Sequence, residues 1–534
     1  MLNASRQVSI PIPSQGDEWI GAEILRDQFV TERNANDTID TAAEIGTETQ
    51  ASVELFALFL RFIAKKLDAE PQSFAARTAL LLDTLKHFTS THLAEQDIHH
   101  VSASFDADVR KTVLAAYYFA VATLEEKQIS APRAPASALL HAAEQGEAGI
   151  YALFGGQGTN EVYMDELQGL YDTYTPYVEP FVADMVNIVL VPLAAKWEST
   201  NYYGYGLDVL SWLSSASARP PVPYLASIPV SYPLIALTQL VQYLIVCRVA
   251  NLTPGELRSR LAGTTGHSQG LGSAIAIAAS DSFESFSENS AKMLKWSFSS
   301  SLRGQELFPV LALEPSIVAD AIEGGEGIPS PMLSVTGLQL KDLEAHVTKA
   351  NAHLPENSKL QVSLHNAQKV FVVAGPPRAL YGLVTNLRKV KAPVGLDQSK
   401  TPFSQRKLVF NMRFLVVNVP FHSHYLQGAT KKLVEEDFGG EELWTPQDLA
   451  IPVYNTEDGE HFRSLMHLTC IDITLSRLGS QEHLRLLDGR ALRPYLHENR
   501  PLDEGNRLPG DRDSRDRFRS RWSQRLWSHE RSQP

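Results

Sequence analysis

The chain has 534 residues, of which 44% are hydrophobic and 20% are charged, a composition typical of folded globular proteins rather than disordered ones. Its formal net charge of −13 at pH 7 argues against nucleic acid as the main partner, because binding phosphates requires clustered cations. The two cysteines, Cys247 and Cys470, exclude a disulfide framework and a cysteine-rich metal site, and they favour a reducing, cytoplasmic setting. The polar residues 1–15 predict no secretory signal.

The first part of the chain is predicted to be helical. Apolar residues recur near helical spacing over 55–67 and 80–88, and residues 113–124 are a third helix candidate. His99 and His100 fall at a predicted loop, where solvated side chains are expected. A short Pro/Ala-rich stretch at 130–137 then predicts a boundary.

From residue 150 the pattern changes to strands alternating with helices. Ile150–Phe154 is a strand candidate that leads into Gly-Gly-Gln-Gly at 155–158. The alternation predicts a parallel α/β core. The apolar residues 232–246 include Thr, Gln and Gln and are too few to cross a bilayer, so we expect a buried helix and no membrane contact.

Residues 331–419 show another order of elements. Helix candidates at 340–354 and 380–387 lie among four strand candidates, at 332–335, 361–364, 370–374 and 414–419. This β-α-β-β-α-β order is the ferredoxin-like plan, and we therefore predict a small subdomain inserted into the α/β core.

The sharpest local signal is Gly266-His-Ser-Gln-Gly270. A strand candidate at 261–265 precedes it and a helix of small residues at 271–279 follows. A strand–turn–helix with glycine on both sides of serine predicts a nucleophile elbow, in which the serine adopts a strained backbone conformation. A plain glycine-rich loop is the alternative, but the flanking strand and helix favour Ser268 as a nucleophile.

A serine nucleophile needs a general base and donors for an oxyanion. Both His422 and His424 follow the strand candidate at 414–419, and sequence spacing does not choose between them. The backbone amide after the nucleophile, that of Gln269, is one expected oxyanion donor. The loop Phe154–Gly158 is the candidate for a second donor, and it lacks the Lys-Ser/Thr ending of a phosphate-binding loop.

These three motifs, in this order, resemble the acyl-CoA:acyl carrier protein transacylase family. Gly263–Leu271, Pro420–His424 and the helical lead-in are similar to the N-terminal and acetyltransferase region of fungal fatty acid synthase β subunits, and the resemblance covers roughly residues 1–460. Relatives supply starter units to fungal polyketides. The resemblance implies an α/β fold with a hydrolase-like parallel-sheet core and an inserted ferredoxin-like α+β subdomain, preceded by a helical N-terminal domain.

The resemblance also implies a role for each site residue. Ser268 would be acylated by acyl-CoA, with His422 as general base and the backbone amides of Gln157 and Gln269 as the oxyanion hole. In this family backbone carbonyls orient the histidine, so no aspartate is required. The acyl group would pass to the phosphopantetheine thiol of an acyl carrier protein, with no tightly bound cofactor and no metal. The fatty acid synthase α subunit is the expected partner in a large cytoplasmic hetero-oligomer.

One position bears on the substrate. Malonyl-using relatives carry an arginine in the helix after the elbow to bind the free carboxylate, and alignment places Ser300 there. This implies an acetyl or other short uncharged acyl group, or hexanoyl for a starter-unit enzyme. A serine esterase or thioesterase and an inactive truncated synthase fragment remain alternatives.

The resemblance implies three regions: a helical domain at 1–148, an acyltransferase domain at 149–461 with its insert at about 331–419, and a tail at 462–534. The tail is rich in arginine and has almost no apolar periodicity. It is interpreted either as a disordered basic tail or as a frame-shifted or mis-spliced reading, because the family's closing strand with its Gly-Pro-Gly loop is not found there.

Overall fold

The computed structural model describes most of the chain between residues 25 and 462. The described residues are 25–32, 48–67, 74–94, 96–132, 137–158, 160–197, 199–310, 312–393, 395–402, 405–456, 459 and 461–462. The predicted boundary at 130–137 lies partly outside them, and so does the tail from residue 463 onward.

The N-terminal region is helical, as predicted. Its helices are α1 (residues 25–32), α2 (Glu48–Leu67), α3 (Phe74–Thr91), α4 (Ile98–Val101), α5 (Ala107–Glu126) and α6 (Ala138–Glu144). The long helices α2 and α5 pack against each other around buried aromatic side chains, including Phe59, Phe88 and Tyr117. The helix that follows β1 contributes Tyr177 to this cluster, while its other buried hydrophobic residues belong to the main core.

The expectation for His99 and His100 is wrong in its local structure. Both residues belong to α4, which Asp97 caps by accepting a hydrogen bond from the His99 backbone N–H. The His99 ring lies between Asp97 and Tyr174, at 2.9 Å from an Asp97 carboxylate oxygen and 3.0 Å from the Tyr174 hydroxyl. Asp97 and Tyr174 therefore provide the polar contacts that the His99 ring would otherwise make with solvent.

The main core contains a parallel sheet, which confirms the predicted α/β class. Its strands are β1 (Ile150–Phe154), β2 (Leu261–Gly266) and β7 (Val453–Tyr454), in the order β1-β2-β7. Its helices are α7 (Tyr163–Asp184), α8 (Val191–Ala195), α9 (Val209–Ser214), α10 (Val222–Leu225), α11 (Ile228–Ala250), α12 (Pro254–Ser259), α13 (Gly270–Ala278), α14 (Phe283–Leu307) and α18 (Ala429–Lys432). Helix α15 (Pro315–Glu323) packs through Ala321 on the apolar cluster of the insert instead. Because Phe154 pairs with Gly266 in register, the loops that leave β1 and β2 begin side by side.

Helix α11 is the central helix of this core. Two helical stretches of the described residues, Tyr163–Ala195 and Ile228–Ala250, are long and apolar enough to cross a membrane by length and composition alone. Nearly all of α11 is buried inside the protein, including Thr238 and Gln239. Protein atoms rather than lipid therefore surround α11, which confirms the buried helix predicted for 232–246.

The inserted subdomain has the predicted ferredoxin-like order. Its elements are β3 (Met332–Thr336), α16 (Leu340–Asn351), β4 (Gln361–Ala367), β5 (Val370–Ala374), α17 (Pro377–Arg388) and β6 (Asn411–Phe414). All strand pairs are antiparallel, in the order β4-β5-β3-β6. One face of this sheet packs with α16 and α17 around its own apolar cluster.

The predicted position of the last strand, residues 414–419, is wrong. The strand is β6 (Asn411–Phe414), whose side chains alternate between exposed and buried along β3. After Phe414 the chain leaves the sheet, and Val417 and Val419 pack into the main core instead. Their apolar character reflects that second core, and sequence alone does not distinguish it from the inward face of a strand.

Candidate active site

The turn at Ser268 has the backbone geometry of a nucleophile elbow. Ser268 adopts a φ of +52° at the junction of β2 and α13, a region that non-glycine residues rarely occupy. A Cβ at Gly266 would lie 2.0 Å from the carbonyl carbon of Gly270, and a Cβ at Gly270 would lie 2.4 Å from the carbonyl oxygens of Phe154 and Gly155. Both glycines are therefore required by close backbone contacts, as the sequence motif predicted.

The structure brings His422, and not His424, to this serine. The Ser268 hydroxyl oxygen lies 2.8 Å from His422 Nε2, although 154 residues separate them in sequence. His422 also has a positive φ, +59°, in a tight bend where the Phe421 N–H donates to the Val419 carbonyl. His424 Nδ1 lies 3.0 Å from Gln361 Oε1 instead.

The other ring nitrogen of His422 has no protein partner among the described residues. His422 is 9% exposed, and its Nδ1 atom finds no hydrogen-bond acceptor or donor there. The backbone carbonyls that the resemblance implied as orienting groups therefore do not reach Nδ1 from the described part of the chain. The bend at positive φ and the hydrogen bond to Ser268 hold the ring in this structure.

The two expected oxyanion donors lie on adjoining loops. The His267 N–H donates to the Phe154 carbonyl over 2.9 Å, and a Cβ at Gly156 would come within 2.8 Å of His267 Nδ1, so the β1 loop lies directly against the elbow. Within the described residues, the backbone N–H groups of Gln157 and Gln269 donate no hydrogen bond to another protein atom. Both are available to a ligand oxygen.

A relay of side-chain amides connects these two loops. The Gln157 side chain donates to Gln269 Oε1, the Asn160 side chain donates to Gln157 Oε1, and Asn160 also donates to the Ser231 hydroxyl over 3.0 Å. Ser231 is fully buried on α11, and Asn160 is 2% exposed. The relay thus fixes the oxyanion loop to the central helix. Sequence reasoning missed Asn160 and Ser231, although a serine in the first turn of a predominantly apolar helix was an available signal.

A second side-chain contact connects the elbow to the insert. His267, the residue before the serine, places its Nε2 3.1 Å from Asn366 Oδ1 on β4. The same strand supplies Gln361 to His424. Within the described residues, no group of three or more His, Cys, Asp or Glu side chains could hold a metal ion.

Two family models match the chain. Residues 152–407 match the starter unit:ACP transacylase in aflatoxin biosynthesis, and residues 1–124 match the N-terminal domain in fatty acid synthase subunit beta. The chain is 38% identical to the fatty acid synthase subunit beta of Saccharomyces cerevisiae, over 78% of this chain and 20% of the relative. It is also 38% identical to the Schizosaccharomyces pombe subunit, over 85% of this chain and 21% of the relative.

The chain is a homologue of fungal fatty acid synthase β subunits. It spans about a fifth of the length of these relatives. Among solved structures, it is similar to a loading acyltransferase from the avermectin modular polyketide synthase, with 16% identity, a TM-score of 0.39 and coverage of 61% of this chain and 79% of that one. A TM-score of this size supports no structural argument, and the fold rests on the two sheets described above.

The relay in this β-subunit homologue leads to a testable expectation. Asn160→Ala should leave the fold intact but slow acylation of Ser268 roughly 10- to 100-fold, because Gln157 loses the donor that holds its loop. The effect should fall on kcat for an acyl-CoA donor, with little change in KM, measured by release of free thiol. Asn201→Ala, at an exposed position, is the matched control. An unchanged kcat in Asn160→Ala would show that the relay does not position the oxyanion loop.

The environment of His422 predicts the pH dependence of acylation. Burial lowers the pKa of His422 to about 4, and the neighbouring His267 acts in the same direction. A neutral imidazole is the form that accepts a proton, so the burst rate of CoA release should stay level from pH 7.5 to about 5.5 and fall as the pH approaches 4. An inflection near 6.5 would contradict this assignment.

The free energy of unfolding should also depend on pH through His422. In the unfolded chain His422 takes up a proton near its ordinary pKa of about 6.5, whereas in the folded protein it stays neutral down to about pH 4. Its contribution to stability is therefore complete above pH 6.5 and is lost as the pH falls from 6.5 towards 4. Circular dichroism at each pH separates this loss from a change in rate.

Ser300 lies on the helix that faces the His422 bend. It is 5% exposed on α14, and its hydroxyl has no hydrogen-bond partner among the described residues. One turn further along the helix, a Cβ at Gly304 would lie 3.2 Å from Val419 Cγ1. The cation on this stretch, Arg303, is bound by carboxylates of Asp437, Glu306 and Glu436.

Proposed function

We propose that this chain carries an acyltransferase that moves an acyl group from coenzyme A to the phosphopantetheine thiol of an acyl carrier protein. The observation that carries the proposal is the 2.8 Å contact between the Ser268 hydroxyl and His422 Nε2 at a strained elbow. The match of residues 152–407 to starter unit:ACP transacylases supports the same chemistry. The acyltransferase is assigned to residues 149–461, after a helical domain at 1–148.

The reaction proceeds through an acyl-serine. His422 Nε2 accepts the hydroxyl proton of Ser268 as its oxygen attacks the thioester carbonyl, and the amides of Gln157 and Gln269 bind the oxyanion. The intermediate collapses, and the CoA thiolate leaves with the proton returned by His422. In the second half, the carrier thiol gives its proton to His422 and attacks the acyl-serine carbonyl. The Ser268 oxygen then leaves and takes the proton back from His422, which restores both residues.

The preferred acyl group is acetyl or another short uncharged group. Two observations support this choice: Ser300 offers a hydroxyl rather than a cation, and the guanidinium of Arg303 is already engaged by three carboxylates. A malonyl carboxylate buried at Ser300 would therefore remain unpaired, which costs several kcal/mol.

The relatives indicate the wider setting. The matched proteins are fatty acid synthase β subunits, so we assign the homologue to cytoplasmic fatty acid or polyketide-starter synthesis. Acyl-CoA and the carrier protein are its substrates, the α subunit is its structural partner, and no tightly bound cofactor is required. The matches to fatty acid synthase β subunits and to the starter unit:ACP transacylase in aflatoxin biosynthesis support either pathway.

Mass spectrometry of the acylated protein tests the proposal. Incubation with acetyl-CoA should add one acetyl group at Ser268, and this adduct should persist in water and be discharged when holo carrier protein is added. Rapid hydrolysis without transfer would identify an esterase or thioesterase instead. A folded chain that acquires no acetyl group would identify an inactive fragment.

A further inference from the structure

A positively charged loop lies on the insert of this acidic chain. We define the basic loop as the described residues between α17 and β6, namely 389–393, 395–402 and 405–410. It contains one acidic residue, Asp397, and five cations, in a chain whose net charge is −13. The cations are Lys389, Lys391, Lys400, Arg406 and Lys407.

The basic loop has a fixed conformation. The Gln398 side chain accepts a hydrogen bond from the Lys407 N–H over 2.7 Å and donates to the Lys407 carbonyl over 3.1 Å. Arg406 donates to the carbonyls of Thr401 and Ser399 over 2.8 and 3.1 Å. These bonds tie the two arms of the loop together, so its surface exists before a partner arrives.

Three lysines of the basic loop have no ion-pair partner in the part of the chain that the structure describes. Lys389, Lys400 and Lys407 are exposed, and none of them pairs with a carboxylate among the described residues. The single acid, Asp397, accepts hydrogen bonds from the N–H and hydroxyl of Ser399. The loop therefore presents net positive charge to the solvent.

Apolar side chains lie among these cations. Leu396, Leu408 and Val409 are 53%, 41% and 77% exposed. Exposed aliphatic groups surrounded by one sign of charge favour a protein partner, because the apolar groups supply contact area and the charges supply orientation. A site for single-stranded nucleic acid would combine its cations with aromatic or arginine stacking platforms. The described part of the loop offers only Arg406, which backbone carbonyls already hold, and Phe410, which is buried.

The strand register of the small sheet places the last residue of the basic loop at the same end of the sheet as Asn366, which contacts the elbow. Asn411, where the loop ends, pairs with Thr336, which pairs with Val370, which pairs with Ala367. These three strand spacings amount to about 14 Å. Asn366, beside Ala367, contacts His267 next to Ser268. A partner on the loop would thus lie within reach of the cleft.

We propose that the basic loop is the docking surface for the acidic protein that presents the acceptor thiol. This inference rests on the proposed acyl transfer, since only a macromolecular acceptor needs such a surface. Acyl-CoA and free pantetheine reach Ser268 without it. The basic loop should therefore contribute to transfer of the acyl group from Ser268 to the carrier protein, and not to acylation of Ser268 by the thioester.

Charge reversal in the 534-residue chain tests the docking surface. Lys400→Glu/Lys407→Glu should lower kcat/KM for a purified holo acyl carrier protein about 30-fold, while acetylation of Ser268 and transfer to free pantetheine stay unchanged. The matched control is Lys341→Glu/Lys349→Glu, which reverses two exposed lysines on α16 of the same subdomain. Leu408→Ser/Val409→Ser should also lower kcat/KM for the carrier protein, without changing its salt dependence.

Each outcome decides the question. Equal losses in the loop and control variants, or no loss in the loop variant, would overturn the docking surface while leaving acyl transfer in place. If the wild-type chain transfers acetyl neither to pantetheine nor to the holo carrier protein, the proposed function fails, and binding of the holo carrier protein by fluorescence anisotropy then tests the surface alone. Loss of binding to phosphatidylserine vesicles with no effect on carrier binding would assign the loop to lipid and overturn the proposal.

Discussion

Ser268→Ala is expected to lower the rate of acyl transfer from acetyl-CoA to carrier protein by about 10⁴-fold or more. The substitution removes the hydroxyl that His422 deprotonates for attack on the thioester, so no acyl-serine can form. The fold should be retained, because alanine keeps the Cβ and, among the described residues, the hydroxyl forms its hydrogen bond with His422. Intact-mass analysis should show no acetyl adduct at any time of incubation.

Two further variants sharpen this result. His422→Ala should cause a loss of similar size, and the double variant should be no worse than either single one, since the two residues act as a unit. Ser214→Ala, at an exposed serine on α9, serves as the matched control and should transfer acetyl normally. Persistent acetylation of the Ser268→Ala protein would mean that another residue is the nucleophile.

Gly270→Ala is expected to destabilise the protein by about 3 kcal/mol or more and to abolish acylation. The new Cβ would lie 2.4 Å from the carbonyl oxygens of Phe154 and Gly155, and these backbone atoms cannot rotate away as a side chain could. Either the β1 loop moves away from the elbow, which removes the Gln157 amide from the site, or the core does not form. The midpoint of urea unfolding measures the loss.

A helical glycine in the insert provides the control. Gly382 lies within α17, and a Cβ there would meet nothing within 4 Å. Gly382→Ala should therefore be neutral or stabilise the protein by up to about 1 kcal/mol, because alanine loses less backbone entropy in a helix. A Gly270→Ala protein with an unfolding midpoint equal to that of Gly382→Ala would refute the close packing at the elbow.

The elbow was predictable because its causes are local. Glycines on both sides of Ser268, a strand before and a small-residue helix after, determine the turn within about 20 residues of sequence. The ferredoxin-like insert was predictable for the same reason, since each of its elements carries its own periodicity. The last strand was misplaced because residues after Phe414 are apolar for a different reason, namely contact with the main core.

Residue spacing alone left His422 and His424 open, whereas the resemblance implied His422. Both follow the same segment, and only the bend at His422, with its positive φ, turns one ring toward Ser268 and leaves the other beside Gln361. The amide relay through Asn160 was beyond sequence reasoning for a similar reason. Its members lie up to 112 residues apart, and hydrogen bonds between such distant side chains leave no periodic pattern.

Strand β4 has a consequence for how the cleft can open. It is an edge strand of the small sheet. Its Asn366 side chain contacts His267, the residue before the nucleophile, and its Gln361 side chain contacts His424, two residues after the base. A rigid-body rotation of the small sheet would therefore displace the segments that carry Ser268 and His422 together. A movement that opens the cleft for a bulky thioester would also separate the Ser268 hydroxyl from the His422 imidazole. The serine could then be deprotonated only when the insert packs against the elbow.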